Sequence, residues 1–149
     1  MRQSAGERHG RVSNWMTHAP IRIPEECSIG QALLRMEEDG IRHLLIVDGD
    51  RLTGIVSNRD VRRLALGDPA AGPLSQPVRS IMTEGPVTVA PELNVTEAAR
   101  LLLELKIGAL PVRDGGAIIG IFTTADALEA LLAALEQGVR GNASNDPVT

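Results

Sequence analysis

Gly54-Ile55-Val56-Ser57-Asn58-Arg59-Asp60 and Gly120-Ile121-Phe122-Thr123-Thr124-Ala125-Asp126 are two versions of one stretch, set 66 residues apart. The same register carries Met16-Thr17 onto Met82-Thr83, Pro20 onto Pro86, Glu26 onto Glu92, Ala32 onto Ala98 and Ile41 onto Ile107. It continues without a gap through Leu44 and Leu110 and through Asp48-Gly49 and Asp114-Gly115. A dozen identities in one ungapped register mark a tandem duplication. The chain is expected to divide into a head (1–11), a first repeat (12–66), a linker (67–77), a second repeat (78–137) and a tail (138–149). Head and tail lack hydrophobic periodicity and are expected to be poorly ordered.

Each copy reads the same way. A short extended piece follows the proline, at Ile21–Ile23 and Val87–Val89. Capping boxes, Ser28-x-x-Gln31 and Asn94-x-x-Glu97, then open a helix whose apolar face is Ile29, Ala32, Leu33 and Met36, or Val95, Ala98, Ala99 and Leu102. Two apolar runs joined by Asp-Gly predict a hairpin: Leu44–Val47 with Leu52–Val56, and Leu110–Val112 with Ala117–Phe122. A second helix closes each copy, short and basic over Arg59–Leu66, longer and apolar over Ala125–Leu135. One copy alone buries too little surface to be stable. Two copies packed sheet to sheet about a pseudo-twofold axis remove that difficulty.

Composition narrows the function. The chain has 149 residues, 43% of them hydrophobic, with one Trp, one Phe and no Tyr, so the core rests on aliphatic side chains. Few aromatics and a net charge of -4 argue against nucleic-acid binding, which rests on stacking platforms and clustered cations. The single cysteine, Cys27, follows two glutamates that disfavour a thiolate, which predicts a packed and inert thiol in a reducing compartment. The first residues are polar and no apolar stretch is long enough to span a bilayer, so a cytoplasmic protein with no signal peptide or membrane partner is expected. Gly-rich phosphate loops, nucleophile elbows, paired cysteines and His-Glu-x-x-His are absent from the sequence, and an enzyme is not expected.

The Met-Thr openers followed by proline, the Arg42-His43-Leu44-Leu45-Ile46-Val47-Asp48 run and the two Gly-Ile-containing stretches together resemble the cystathionine β-synthase (CBS) domain pair, or Bateman module, over about residues 12–135. The resemblance implies an α/β (α+β) fold of two repeats, each a small three-stranded sheet with two helices. It implies a regulatory module that binds AMP, ADP, ATP, S-adenosylmethionine or a related ligand such as NAD(H) in clefts shared by the repeats, with no obligatory cofactor. Many such pairs form homodimeric discs, and some serve only in assembly. No receiver domain being recognisable, signalling in trans to a protein partner is expected.

Ser57-x-x-Asp60 and Thr123-x-x-Asp126 admit two readings. They can cap a helix, worth about 1 kcal/mol. They can also hold a ligand, Asp accepting from ribose hydroxyls while the hydroxyl and the free amides of the helix start meet phosphate. Their place at a strand-to-helix handover, with the family resemblance, favours the ligand. The resemblance implies that each cleft is shared, so that the first candidate cleft joins Arg42, His43, Ser57, Arg59 and Asp60 to Thr83, Pro86 and Val87 of the other repeat. A second, weaker cleft joins Thr17, Pro20 and Ile21 to Thr123 and Asp126; Gly108 and Ala109 stand there in place of Arg42 and His43. Residues 12–66 hold seven arginines against eight acids and residues 78–138 four cations against eight, so phosphate should prefer the first cleft. Arg59, Arg62 and Arg63 lie on a short helix whose solvated face they equally suit. His9 and His18 lack partners at ligand spacing, and no metal is expected. The alternative function is a structural oligomerisation module, with the apolar helix over Ala127–Leu135 as its interface.

Overall fold

The computed structural model describes residues 10–67 and 73–144. In chain order the elements are a 3-10 turn at Val12–Asn14, β1 (Thr17–His18), β2 (Arg22–Pro24), α1 (Ile29–Asp39), β3 (His43–Asp48), β4 (Arg51–Ser57) and α2 (Asn58–Gly67). Turns at Pro73–Ser75 and Val78–Ser80 precede β5 (Thr83–Glu84), α3 (Val95–Leu105), β6 (Ala109–Asp114), β7 (Ala117–Thr123) and α4 (Thr124–Ser144). The fold is the expected mixed α/β pair of repeats.

The hairpins form as the Asp-Gly pairs predict. Gly49 and Gly115 open their two-residue turns at φ 61 each, the first-position geometry of a type II′ turn, which a side chain disfavours. The Ser28 box is complete: its hydroxyl accepts from the Gln31 amide at 3.1 Å and Gln31 Oε1 accepts from the Ser28 amide at 3.0 Å. The Asn94 box is not. Asn94 Oδ1 takes the Thr96 amide at 2.8 Å, while Glu97 turns to Arg100 at 3.0 Å. The expected second extended piece also shrinks, to a single parallel bridge between Val89 and Val112. In the first copy the Leu45 amide donates to the Ile21 carbonyl at 3.2 Å. Its counterpart is Pro111, which has no N–H to give Val87, so the ladder stops short.

The sheets do not follow the repeat boundaries. One sheet runs β2-β3-β4-β5 and the other β1-β7-β6. Each repeat therefore lends its opening strand to the other: Thr17 pairs with Ile121 and His18 with Gly120, while Thr83 pairs with Ile55 and Glu84 with Gly54. The exchange extends upstream. Val12 and Ser13 donate to the Leu93 and Pro91 carbonyls at 2.9 and 3.0 Å, and Val78 and Arg79 donate to Cys27 and Glu25 at 2.7 and 3.2 Å. Val12 and Val78 are fully buried, each in the core under the other repeat's helices. Val78 packs with Ile29, Met36, Leu44 and Val56, and Val12 packs with Ala98, Leu110 and Phe122.

The duplicated glycines complete this device. A Cβ on Gly54 would stand 3.0 Å from the Thr83 carbonyl oxygen and run into the Met82 sulfur; on Gly120 it would stand 2.9 Å from the Thr17 oxygen and crowd Met16. Glycine is required so that a methionine from the other copy can lie across the strand. A third cluster, Leu45, Ala109, Ile118 and Ile121 with Leu52 and Ile55, joins the two sheets face to face. Arg22 adds a polar tie, donating to the Ile118 carbonyl across that contact.

Two expectations about the ends change. Gly10 accepts the Val95 amide at 2.6 Å and Arg11 bridges to Asn94, so the end of the head is docked. The helix expected to end at Leu135 runs to Ser144, through most of the expected tail. Once a helix is nucleated each added residue gains a hydrogen bond, and no proline interrupts the chain before Pro147. Residues 73–77 of the linker pack on α1, where the Ile29 amide donates to Gln76 at 2.9 Å. The expectations for residues 1–9, 68–72 and 145–149 lie outside the described residues.

Candidate functional site

The strand-to-helix handover at β4–α2 is built by the Ser57 and Asp60 side chains. Asp60 Oδ2 accepts from the Ser57 hydroxyl at 2.8 Å and from its amide at 3.2 Å, and the Ser57 hydroxyl accepts the Asp60 amide at 3.1 Å. This is a reciprocal cap. β7–α4 repeats it: Asp126 Oδ2 accepts from the Thr123 amide at 2.8 Å and hydroxyl at 3.1 Å, and the Asp126 amide reaches the Thr123 hydroxyl at 3.3 Å. Both motifs therefore cap their helices. The cap occupies one carboxylate oxygen; Asp60 Oδ1 receives no hydrogen bond from the described residues and is open to a further donor.

The two caps differ in setting. Asp60 is half-buried, whereas Asp126 is 9% exposed, and burial pushes its carboxyl above the usual range. The Thr123 hydrogen bonds oppose that rise and Glu129 adds to it. The Asp126 carboxyl is thus less ready to ionise than an ordinary aspartate.

Arg42, His43, Ser57, Arg59 and Asp60 come together. His43 lies opposite Ser57 in the β3–β4 ladder, and the charges of Asp60, Arg42 and Arg59 all act on its ring. Arg42 and Arg59 are exposed, and neither forms an ion pair with a described residue. Burial lowers the His43 imidazole below its ordinary range; Asp60 raises it, and Arg42 and Arg59 lower it further. Strand exchange delivers the second repeat's share: Thr83 sits opposite Ile55, two residues before Ser57. Pro86 and Val87 follow β5, no hydrogen bond among the described residues ties them to Ser57, and Val87 is 45% exposed. In the second cleft Thr17 sits opposite Ile121, two residues before Thr123, with Pro20 and Ile21 behind it.

Sequence reasoning missed what Gly108 does. The sequence marks it only as a place where a cation is lacking, but a Cβ there would lie 2.9 Å from His43 Nε2. The glycine is the seat of the first repeat's imidazole. A second feature it missed is a groove of about 600 Å³ along α1, lined by Ser28, Gly30, Leu33, Leu34 and Leu74 and separate from both clefts. Among the described residues no group of three or more His, Cys, Asp or Glu is placed to hold a metal, and no helix is long and apolar enough to cross a membrane.

Comparison with known proteins settles the family. The CBS domain model matches twice, over residues 12–67 and 78–133. The chain belongs to the CBS domain family. It is 35% identical over 117 residues to an inosine-5'-monophosphate dehydrogenase from Korarchaeum cryptofilum, covering 78% of this chain but only 23% of that enzyme. The CBS pair is thus a fraction of that relative. Among solved structures, CBSX2 in complex with AMP matches at TM-score 0.72 and 30% identity, over 84% of this chain and 98% of that one. The CBS domain pair of protein MJ0100, in complex with 5'-methylthioadenosine and S-adenosyl-L-methionine, matches at TM-score 0.72 and 25% identity, over 83% and 96%. CBS pairs of this kind therefore include binders of adenosyl ligands.

Proposed function

We propose that this CBS pair is a regulatory, non-catalytic sensor that binds an adenine nucleotide or related adenosyl ligand in the first cleft and signals in trans to a protein partner. One observation supports it above the rest. The exchange of opening strands sets Thr83 of the second repeat against Ile55, two residues before Ser57, and Ser57, capped with Asp60, pairs with His43, on whose ring Arg42 and Arg59 also act. A ligand lying there touches both repeats, so its binding free energy can bias their arrangement. Asp60 Oδ1 would accept from ribose hydroxyls, and Ser57, the α2 amides and the arginines would meet phosphate. The AMP complex of a relative at 30% identity supports the ligand class. The second cleft, Thr17, Pro20, Ile21, Thr123 and Asp126, has no arginine at the Arg42 position and suits a less charged ligand.

Titration calorimetry with AMP, ADP, ATP, NADH and S-adenosylmethionine tests this. At least one should bind below millimolar concentration, and Asp60→Ala should weaken it tenfold or more, since a lost hydrogen bond to a charged group costs about 1.5–3 kcal/mol. Absence of binding by every adenine ligand at millimolar concentration refutes the reading.

A second reading has its own observation. Leu128, Leu131, Leu132 and Leu135 follow one another along α4 at helical spacing and are 53–58% exposed. A stripe of this kind suits a twofold contact with a second copy of the chain. Light scattering should give a dimer, and Leu131→Glu with Leu132→Glu should give a monomer. A monomeric unsubstituted protein removes this reading.

A further inference from the structure

His43 spans the contact between the repeats. It starts on β3 beside Ser57, and its ring ends against Gly108, where an added Cβ would lie 2.9 Å from Nε2 and 3.0 Å from Cε1. The Thr124 hydroxyl is 3.9 Å from the same point. The ring is half-buried, yet neither nitrogen has a hydrogen-bond partner among the described residues, and neither is sealed from solvent. The charged groups acting on it are Asp60 and Arg59 of α2 and Arg42, the residue just before β3, all from the first repeat. Gly108, its neighbour in the second repeat, brings no charge.

We propose that the first cleft takes up a proton at His43 when it takes up a phosphate-bearing ligand, so that its occupancy responds to pH as well as to nucleotide. The inference rests on the cleft reading above and adds its regulation. Two opposing forces act on the imidazole. Partial burial and two guanidinium groups disfavour the imidazolium, and only Asp60 favours it. A phosphate beside Arg42 and Arg59 reverses that balance, because its charge compensates all three cations and its oxygens accept from the open ring nitrogens. Binding then raises the affinity of His43 for a proton, and by reciprocity the proton raises the affinity of the cleft for phosphate.

The test is calorimetric binding of AMP and of adenosine at pH 7.5, 6.5 and 5.5, with the unsubstituted protein and with His43→Gln. AMP itself loses charge near pH 6, which acts on both proteins alike, so the informative quantity is the ratio of their affinities. That ratio for AMP should grow about three- to tenfold from pH 7.5 to 5.5, within the limit of about tenfold per pH unit that one proton allows. For adenosine it should stay constant. The His43 ring resonances of the unsubstituted protein give a second readout, needed if His43→Gln does not fold: their titration midpoint should move upward with saturating AMP. If AMP binds with a constant ratio, or the midpoint does not move, the proton coupling is overturned and the cleft stands. If AMP binds neither protein at any pH, the proton coupling falls; the sensor reading falls with it only if ADP, ATP, NADH and S-adenosylmethionine also fail to bind.

Discussion

Adding a methyl group at Gly54 is expected to destabilise the protein through a contact with the other repeat. The new Cβ would lie 3.0 Å from the Thr83 carbonyl oxygen and overlap the Met82 sulfur. The thioether can rotate aside, but the backbone oxygen can retreat only by opening the pairing of Gly54 with Glu84 and Ile55 with Thr83. Overpacking of this kind costs about 1–3 kcal/mol, and a domain of this size loses about 2–4 °C of Tm per kcal/mol. Gly54→Ala should therefore lower Tm by roughly 4–8 °C, taking about 2 kcal/mol as the centre of the range. Gly116→Ala is the control, because a Cβ there meets nothing within 4 Å. A urea-denaturation cycle with Met82→Ala identifies the partner. The truncated side chain relieves part of the clash, so the double variant should be more stable than additivity predicts by at least about 0.5 kcal/mol. Coupling of Gly54 to Met16 instead of Met82 would refute the exchange of opening strands.

Three further outcomes follow from particular residues. Ala19 and Lys106 hold φ of 49 and 55, the left-handed region, while their repeat counterparts are Gly85 and Gly40 at φ 54 and 63. Ala19→Gly and Lys106→Gly should each stabilise by about 0.5–1 kcal/mol in denaturant titrations, because glycine enters this region without the Cβ clash. Asp126 has a raised carboxyl, which stabilises the fold below the unfolded carboxylate range and loses that contribution as pH rises through the folded value. Asp126→Asn, which can still accept from Thr123, should flatten the stability profile above about pH 4, as thermal melts across pH will show. Phe122 is fully buried beneath the second repeat's helices, and Phe122→Ala should cost about 3–5 kcal/mol by the same melts.

Much of this was legible in the sequence because the signals are local. The Asp-Gly pairs placed both hairpins, and the Ser28–Gln31 spacing placed the start of α1. Asn94–Glu97 has the same spacing, but Arg100, one turn on, competes for the glutamate. The α4 boundary was misplaced because glycines at 138 and 141 weaken a helix without ending it. For the candidate site, spacing identified Ser57 and Asp60 as one unit, and the structure gives them the capping geometry that spacing alone also favours.

The 66-residue register determined by itself that there are two equivalent units, which positions correspond, and that Arg42 and His43 break the equivalence. A duplication leaves undecided which copy of a strand joins which copy of a sheet, because both pairings satisfy the same local pattern. Only the tertiary structure chose, seating Met16 over Gly120 and Met82 over Gly54, and burying Val12 and Val78 in each other's repeat. That choice is a long-range packing event. It brings Thr83 to Ile55, two residues before Ser57, and sets His43 of one repeat against Gly108 of the other.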